Sequence, residues 1–366
     1  MNVNRRKALK IAGGGGLAAI LAAGAAPAYS QQRKEWRMQM TWPKNMVGLS
    51  STANLLADFV TKASGGTLSI RVFGAGEIVP AFQTMDAVAN GTFQMGHGYP
   101  TYWAGQVPAV NFLGPLPFGI TTQEQNAWLY YGGGLALAEK VYAKLGVKFF
   151  PSGNTSVQSA GWYNKEIKSI SDFKGLKMRV GGIGGKVMQA LGATPISMAL
   201  GEAPQAMQSG AIDAIEFVGP LNDMAFGLHK VAKFYYWPGW LEPCGMLDCF
   251  VNQAAWDGLS AEHKEILRVG NIYANQMGLS EFVAKNAVAY NQLVGEHKVQ
   301  VREFTDDTLR AIGETAYKVL EAEAAKDALS KEVFASIMKF RREAMPYTRI
   351  SEFEFMRARN LSMKYG

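Results

Sequence analysis

The chain has 366 residues, 48% of them hydrophobic, a formal net charge of +7 and two cysteines. This length exceeds what one hydrophobic core usually organises, which favours two lobes. Four positive charges (Arg5, Arg6, Lys7 and Lys10) lie at the N-terminus, and removing four from +7 leaves +3 for the rest. Because no Lys/Arg block with interleaved aromatic residues occurs, the composition argues against nucleic-acid binding.

The N-terminus has the pattern of an export signal. Arg5-Arg6 precedes an apolar run from Ile11 to Ala25, and small residues around Pro27 suit signal-peptidase cleavage. The run is shorter than the roughly 20 residues of a membrane-spanning helix. The twin arginine predicts a Tat signal peptide over residues 1–28 and a periplasmic protein. An ordinary Sec signal or an N-terminal anchor is the alternative.

The segments that follow alternate between strand and helix patterns. Residues 36–43 and 68–73 alternate apolar and polar side chains as strands do, and residues 50–63 form an amphipathic helix pattern between them. A long helix is predicted for Thr122–Lys144. This alternation is typical of an α/β lobe with a largely parallel sheet.

The second half continues this alternation. The helical pattern from Ser260 to His297 reaches over ~50 Å at about 1.5 Å per residue, which is enough to cross both lobes. We therefore expect an α/β fold of two lobes, each with a sheet flanked by helices and with the ligand cleft between them. The expected lobes are 31–153 plus about 243–283 (lobe I) and 154–242 plus about 284–366 (lobe II).

The cysteines and the common motifs point away from a structural zinc, a haem attachment and a nucleotide-binding loop. Cys244 and Cys249 lie in an apolar strand pattern that would hold them too far apart for a disulfide, so we expect two unpaired, packed thiols. The glycine-rich run 181–187 fails as a phosphate loop because Val187 stands where Ser or Thr is required. His-x-x-x-His, Cys-x-x-Cys and Gly-x-Ser-x-Gly patterns do not occur.

Three charged residues near the ends or starts of predicted strands suggest that ions bind there. Arg179 suits a carboxylate, which a guanidinium can bind with two parallel hydrogen bonds, although a surface ion pair explains it equally well. Glu216 ends an apolar strand and must be paired, protonated or bound to a cation. Glu242 lies among aromatic residues at a second candidate strand start.

Several short motifs resemble a known family. They include Asp172-Phe173-Lys174-Gly175 followed by a strand ending in Arg179, Tyr102-Trp103-Ala104-Gly105, and Phe217-Val218-Gly219-Pro220. From Trp36 to its C-terminus the chain resembles the DctP-type solute-binding proteins of tripartite ATP-independent periplasmic (TRAP) transporters. The last two motifs resemble the branch that binds 2-oxo acids and similar monocarboxylates.

The resemblance implies a two-lobed periplasmic-binding-protein fold, type II-like, with a mixed sheet in each lobe. It implies a receptor, not an enzyme, that binds a small 2-oxo or 2-hydroxy monocarboxylate and delivers it to TRAP membrane subunits. Arg179 would clamp the carboxylate, and Gln158 would reach the carboxylate or a cation. Glu216, the Phe217 carbonyl and Glu242 would hold calcium or sodium that bridges to the substrate.

Some expectations stay open at this stage. Some relatives carry Gln in place of Glu242 and Trp in place of Phe217, so the metal is not specified. The residues expected to wall the alkyl part of the substrate, or else to be ordinary packing, are Tyr102, Trp103, Phe217 and Trp237. The alternatives are a Tat-exported periplasmic enzyme and a sensory binding module of the same fold. A homodimer made by swapped C-terminal helices is also open.

Overall fold

The fold is built on two mixed β-sheets. The computed structural model describes residues 33–196, 198 and 202–361, so the predicted signal peptide lies outside the described residues. In chain order the strands are β1 (Lys34–Met40), β2 (Leu68–Phe73), β3 (Met95–Gly98), β4 (Val147–Asn154), β5 (Gly161–Tyr163), β6 (Lys177–Arg179), β7 (Thr194–Ile196), β8 (Ala214–Ile215), β9 (Phe234–Trp237), β10 (Met246–Asn252) and β11 (Gln300–Glu303).

The strand orders are β2-β1-β3-β10-β4 in the first sheet and β11-β9-β5-β8-β6-β7 in the second. In the first sheet β1 and β3 run parallel, whereas β10 is antiparallel to both β3 and β4. In the second sheet β6 is parallel to β7 and β8, and β5 is antiparallel to β8 and β9. β10 returns from the second sheet to the middle of the first, and the side chains of Met246–Val251 are buried there.

Helices cover both sheets. They are α1 (Leu49–Ala63), α2 (Thr84–Ala89), α3 (Thr122–Tyr131), α4 (Gly134–Ala143), α5 (Gly182–Ala190), α6 (Ala203–Ser209), α7 (Pro220–Ala225), α8 (Gln253–Asp257), α9 (Ala261–Gly295), α10 (Asp306–Ala324), α11 (Ala328–Thr348) and α12 (Glu354–Arg359). None of the helices among these described residues is both long enough and apolar enough to cross a membrane.

The long helix α9 connects the two halves of the molecule, the first built on the first sheet and the second on the second sheet, as predicted. It begins at Ser260, whose side chain accepts a hydrogen bond from the His263 N–H. Along its length α9 packs against α1 and β4 of the first sheet and against α7, which follows β8 of the second. Farther along, α10 packs against α5, whereas α11 packs against α3 and α4.

One predicted helix is wrong in its extent. The single helix expected over Thr122–Lys144 is two helices, α3 and α4, separated at Gly132-Gly133. Gly133 adopts φ +84°, a left-handed conformation that residues with a side chain rarely adopt, and the regular helix cannot continue through it. The expectation for the cysteines is confirmed: Cys244 and Cys249 are both buried and unpaired.

Candidate functional site

A cavity of about 300 Å³ lies where strand ends of the two sheets face each other. From the first half come the segment that follows β1 and the short helical turn that follows β3. From the second half come the ends of β6 and β8. Residues that line the cavity include Thr41, Trp42, Met46, Leu49, Phe82, Tyr99, Tyr102, Thr155, Gln158, Arg179, Met198, Glu216, Phe217, Val218, Phe226, Glu242 and Leu247.

Arg179 reaches this cavity from the last position of β6. Its backbone pairs with Ile215 on β8, and its carbonyl accepts a hydrogen bond from the Glu216 N–H at 3.0 Å. The guanidinium Nη1 donates to the Glu216 carbonyl oxygen at 2.7 Å and lies 4.0 Å from Glu216 Oε2. The side chain is 18% exposed, so a largely buried cation faces the cavity with most of its hydrogen-bond donors still available.

Glu216 is a buried carboxylate whose hydrogen-bonding capacity is not satisfied. It follows β8 directly and is 3% exposed, and its Oε1 atom has no hydrogen-bond partner within the described part of the chain. Burial raises the pKa of Glu216 well above its ordinary value, the nearby Glu242 carboxylate raises it further, and Arg179 opposes the rise. Such a group is stabilised by a cation that fills the empty coordination position.

Gln158 and Glu242 are held together by two chain segments that cross. The Gln158 N–H donates to the Glu242 carbonyl at 3.1 Å, and the Thr155 N–H donates to the Gly245 carbonyl at 2.9 Å. A side chain at Gly245 would meet Thr155 Oγ1 at 2.0 Å, so only glycine permits this close crossing. Gln158 Nε2 donates to Thr155 Oγ1 at 3.0 Å, which leaves Gln158 Oε1 buried and without a described partner.

Glu242 lies in the connection between β9 and β10 and not at the start of a strand. Its Oε2 atom accepts a hydrogen bond from the Tyr99 hydroxyl at 2.6 Å. Burial raises the pKa of Glu242, while the Tyr99 hydrogen bond and Arg179 lower it, and the net direction is upward. Two buried carboxylates, one guanidinium and one amide oxygen therefore line the same end of the cavity.

The opposite end of the cavity is apolar. Trp42, Met46 and Leu49 line it from the first half of the molecule, and Phe226 does so from the second. Phe217 is 8% exposed, and its ring packs edge-on against Phe226 with a centroid distance of 5.1 Å. The cavity thus combines a charged end with a wall that suits a hydrocarbon group.

The structure separates the aromatic residues that the sequence grouped together. Tyr102 lines the cavity and is 40% exposed, whereas the adjacent Trp103 is fully buried behind it. Trp103 Nε1 donates to Asp248 Oδ2 at 2.8 Å, so its side chain points into the core and does not wall the substrate. Trp237 lies on β9 and lines a different cavity together with Val157 and Tyr290.

Three residues of the site escaped the sequence analysis. Tyr99 orients Glu242, Thr155 orients Gln158, and Trp42 contributes both an apolar wall and a buried Nε1 atom without a described partner. Two further segments of the chain that match the family, Trp42-Pro43 and Gly153-Asn154-Thr155, contain Trp42 and Thr155 and were the available signal for them. Tyr99 gave no signal of its own.

The donor set fits a hard cation without forming a metal cluster of the usual kind. The described residues contain no group of three or more His, Cys, Asp or Glu side chains suited to a metal. Any cation here would depend on the two glutamates together with amide or backbone oxygens. Such all-oxygen sets are preferred by calcium and also suit sodium.

The comparisons with known proteins agree with this geometry. Residues 38–327 match the family described as bacterial extracellular solute-binding protein, family 7 (DctP). The chain is 41% identical over 320 residues to the monocarboxylate 2-oxoacid-binding periplasmic protein of Nostoc sp., a match that covers 87% of each chain.

Two solved structures are similar over nearly their whole length. A TRAP periplasmic solute-binding protein from Pseudoalteromonas atlantica with bound sodium and pyruvate is 36% identical, with a TM-score of 0.86, covering 89% of this chain and 99% of that one. A TRAP transporter solute-binding protein from Bordetella bronchiseptica is 33% identical, with a TM-score of 0.86, covering 89% and 97%. It is a dimer with calcium and picolinate in one site. The chain therefore belongs to the DctP family of bacterial extracellular solute-binding proteins.

Proposed function

We propose that the protein is an extracytoplasmic receptor that captures a 2-oxo or 2-hydroxy monocarboxylate together with a metal cation. One observation carries this proposal: the largely buried guanidinium of Arg179 lies beside the unsatisfied buried carboxylate of Glu216 in the same cavity. A cation and an organic anion that enter together satisfy both groups. The relatives that hold pyruvate with sodium or picolinate with calcium support it.

The residues have distinct roles in this proposal. Arg179 binds the carboxylate of the substrate, because its remaining N–H donors face the cavity and match two oxygens. Glu216, Glu242, the Gln158 side-chain oxygen and the Phe217 carbonyl are the oxygen ligands of the cation. When bound, calcium or sodium would supply positive charge that offsets the two glutamates and the substrate carboxylate. Tyr99 fixes the Glu242 carboxylate in position.

The apolar end of the cavity sets the preferred length of the substrate. Trp42, Met46, Leu49 and Phe226 line more space than the methyl group of pyruvate fills, within a total of about 300 Å³. Each methylene buried there contributes about 0.8 kcal/mol. We therefore expect a branched or longer 2-oxo acid to bind more tightly than pyruvate.

The export signal and the family together suggest how the bound acid is delivered to a transporter. We propose that the twin-arginine signal takes the folded protein to the periplasm, where it presents the acid to TRAP membrane subunits. The groups around the cavity are ligands for an anion and a cation, which supports capture and release without chemical change. The two sheets would close on the ligand as lobes. The sequence assigned residues 284–366 to lobe II, but α11 packs against α3 and α4 of lobe I, so we propose that α11 moves with the first sheet.

A homodimer through the C-terminal segment is part of the proposal. Residues beyond the middle of α11 expose Tyr347, Ile350, Phe353, Phe355 and Met356, each at least 49% exposed. A concentration of exposed apolar side chains in one segment suits a protein contact, and a related receptor is a dimer. Light scattering of the exported chain and of a chain that ends at Ala344 tests this, because only the longer chain should dimerise.

Calorimetry tests the central proposal. Metal-depleted protein is titrated with pyruvate and with 4-methyl-2-oxopentanoate, first in chelator and then with calcium or with sodium. We expect saturable one-to-one binding that strengthens with the cation and is tighter for the longer acid. The acid recovered from the complex should be chemically unchanged. Equal affinity with and without each cation would contradict the role given to Glu216 and Glu242.

A further inference from the structure

A second cavity, of about 440 Å³, shares none of its lining residues with the ligand cavity. Its walls are the loop 116–119 and the facing sides of α10 and α11. Leu116 and Leu320 form a buried apolar floor, and Met338 contributes a partly buried side chain. The cavity is large enough for a small organic molecule, and most of its surface is hydrocarbon.

Two arginines at this cavity lack a carboxylate partner. Arg341 on α11 is partly buried, and its Nε donates to the carbonyl oxygens of Phe118 at 3.0 Å and Gly119 at 3.2 Å. Among the described residues, neither Arg341 nor Arg310 on α10 has a carboxylate oxygen within 4.0 Å, whereas Arg302 pairs with Glu166 at 2.8 Å. Burial lowers the pKa of Arg341, as expected for a cation that has left water without finding an anion.

Glu124, the acidic residue that affects the pKa of Arg341, already accepts hydrogen bonds from other groups. Glu124 raises the pKa of Arg341 from beyond ion-pair distance. One of its oxygens accepts a hydrogen bond from the Thr348 hydroxyl at 2.6 Å, and the other accepts from the Thr121 N–H at 2.8 Å. The terminal amino groups of Arg341 therefore keep their capacity for another anion.

The ring of Phe118 forms one apolar wall of the cavity. Phe118 adopts φ 53°, a conformation that is unfavourable for a bulky residue, and its ring stacks on Trp240 with a centroid distance of 5.8 Å. Gly313 on α10 faces this ring, and a side-chain carbon added there would come no closer than 3.8 Å to it. A methyl group would therefore fit at this position, whereas a longer side chain would cover the ring.

We propose that this cavity is a second binding site, for an organic anion with an extended apolar body, such as a medium-chain carboxylate. The anionic group binds the free guanidinium donors of Arg341 and Arg310. The hydrocarbon body lies on Phe118, Leu320 and Met338. The site differs in kind from the ligand cavity because none of the described residues that line it is acidic, so it offers a metal cation no carboxylate ligand.

Octanoate is the probe, and two matched molecules separate charge from apolar contact. Calorimetric titration is done on the full chain carrying Arg179→Ala, so that the carboxylate clamp of the ligand cavity is absent. We expect one saturable octanoate site without added metal. Both 1-octanol, which has the body without the charge, and acetate, which has the charge without the body, should bind at least about tenfold more weakly.

Variants on α10 locate the site. Arg310→Gln should weaken octanoate binding about fivefold to tenfold, and Gly313→Met should abolish it by filling the space over Phe118. Both leave the loop contacts of Arg341 in place, and Arg302→Gln is the control that should change nothing. Octanoate binding that persists in Gly313→Met, or equal binding of 1-octanol, would overturn the proposal. Light scattering that shows Gly313→Met disrupting a dimer, with no octanoate bound by the parent chain, would assign the cavity to a second copy of this chain instead.

Discussion

Two buried carboxylates, seven residues apart, show how the core of the second sheet differs from the ligand cavity. Asp223, in the core, is fully buried, and its Oδ2 accepts hydrogen bonds from Trp162 Nε1 and the Tyr235 hydroxyl, each at 2.9 Å. Glu216, at the cavity, is almost equally buried, but one of its oxygens has no described partner. The chain satisfies a carboxylate fully in the core and leaves one incomplete at the cavity.

This difference between Asp223 and Glu216 indicates where the protein binds a ligand. An unsatisfied buried charge reduces stability, so a site where another molecule supplies the missing contacts is one place where such a group is retained. Asp223 ties α7 to the second sheet through contacts that are complete without a ligand. In the proposed site, Glu216 and Arg179 would complete their contacts when an anion and a cation bind. Substitutions at the two places should therefore affect different measurements.

The largest expected effect is on ligand binding, from Arg179→Gln. Loss of the guanidinium leaves the substrate carboxylate without its cationic partner in a buried site, and affinity for the 2-oxo acid should fall at least about 100-fold. Calorimetry measures it. The urea-unfolding midpoint of the ligand-free protein should barely change, because the side chain makes one hydrogen bond of its own. Arg302→Gln, which removes an exposed ion pair with Glu166, is the matched control and should bind normally.

The next effect is on stability, from Asp223→Ala. The substitution leaves the Trp162 and Tyr235 donors buried without an acceptor, and the free energy of unfolding should drop by about 3 kcal/mol. Urea denaturation followed by tryptophan fluorescence gives the value. Asp58→Ala, at an exposed position on α1, should cost less than about 0.5 kcal/mol. A small loss for Asp223→Ala would mean that its contacts do not hold α7.

Glu216→Gln should have the opposite effect to Asp223→Ala: it should weaken ligand binding without reducing stability. A neutral amide of the same shape removes an unsatisfied buried charge, so the ligand-free protein should unfold at the same or a higher urea concentration. Binding of the acid in the presence of calcium should weaken about tenfold, because one charged oxygen ligand is lost. Calorimetry with and without calcium measures this. A variant that loses stability but keeps its calcium dependence would reverse the contrast with Asp223.

The sequence indicated which charged residues line the cavity more clearly than it indicated which way the aromatic side chains point. Arg179 and Glu216 could be found because strand patterns end at each of them, and strand ends meet at one edge of a sheet. The sequence left both a cavity wall and ordinary packing open for Trp103, because the contact that fixes its side chain is with Asp248, 145 residues away. The contact of Tyr99 with Glu242 spans 143 residues, and local patterns carry no information about such pairs.

The smallest predicted effect is a pH dependence of stability. Burial raises the pKa of Asp223 from 3.8 to about 6, so between these values the folded state binds a proton more readily than the unfolded state does. The contribution of Asp223 to the free energy of unfolding therefore rises as pH falls from 6 towards 4, by up to about 1.4 kcal/mol per pH unit, and is constant above 6. This direction is opposite to that of an ordinary ion-paired aspartate.

The comparison of parent chain with Asp223→Asn isolates this effect, because the other titrating groups are common to both. Urea unfolding at pH 7, 6 and 5 should show the parent gaining stability relative to the variant as the pH falls. Asp248 is equally buried, has a pKa of about 6 and lies in the first sheet, so Asp248→Asn should show the same trend. A difference that stayed constant from pH 7 to 5 would mean that the hydrogen bonds from Trp162 and Tyr235 outweigh burial at Asp223. The core carboxylate would then be ionised as readily as one in water, and its contrast with Glu216 would be sharper.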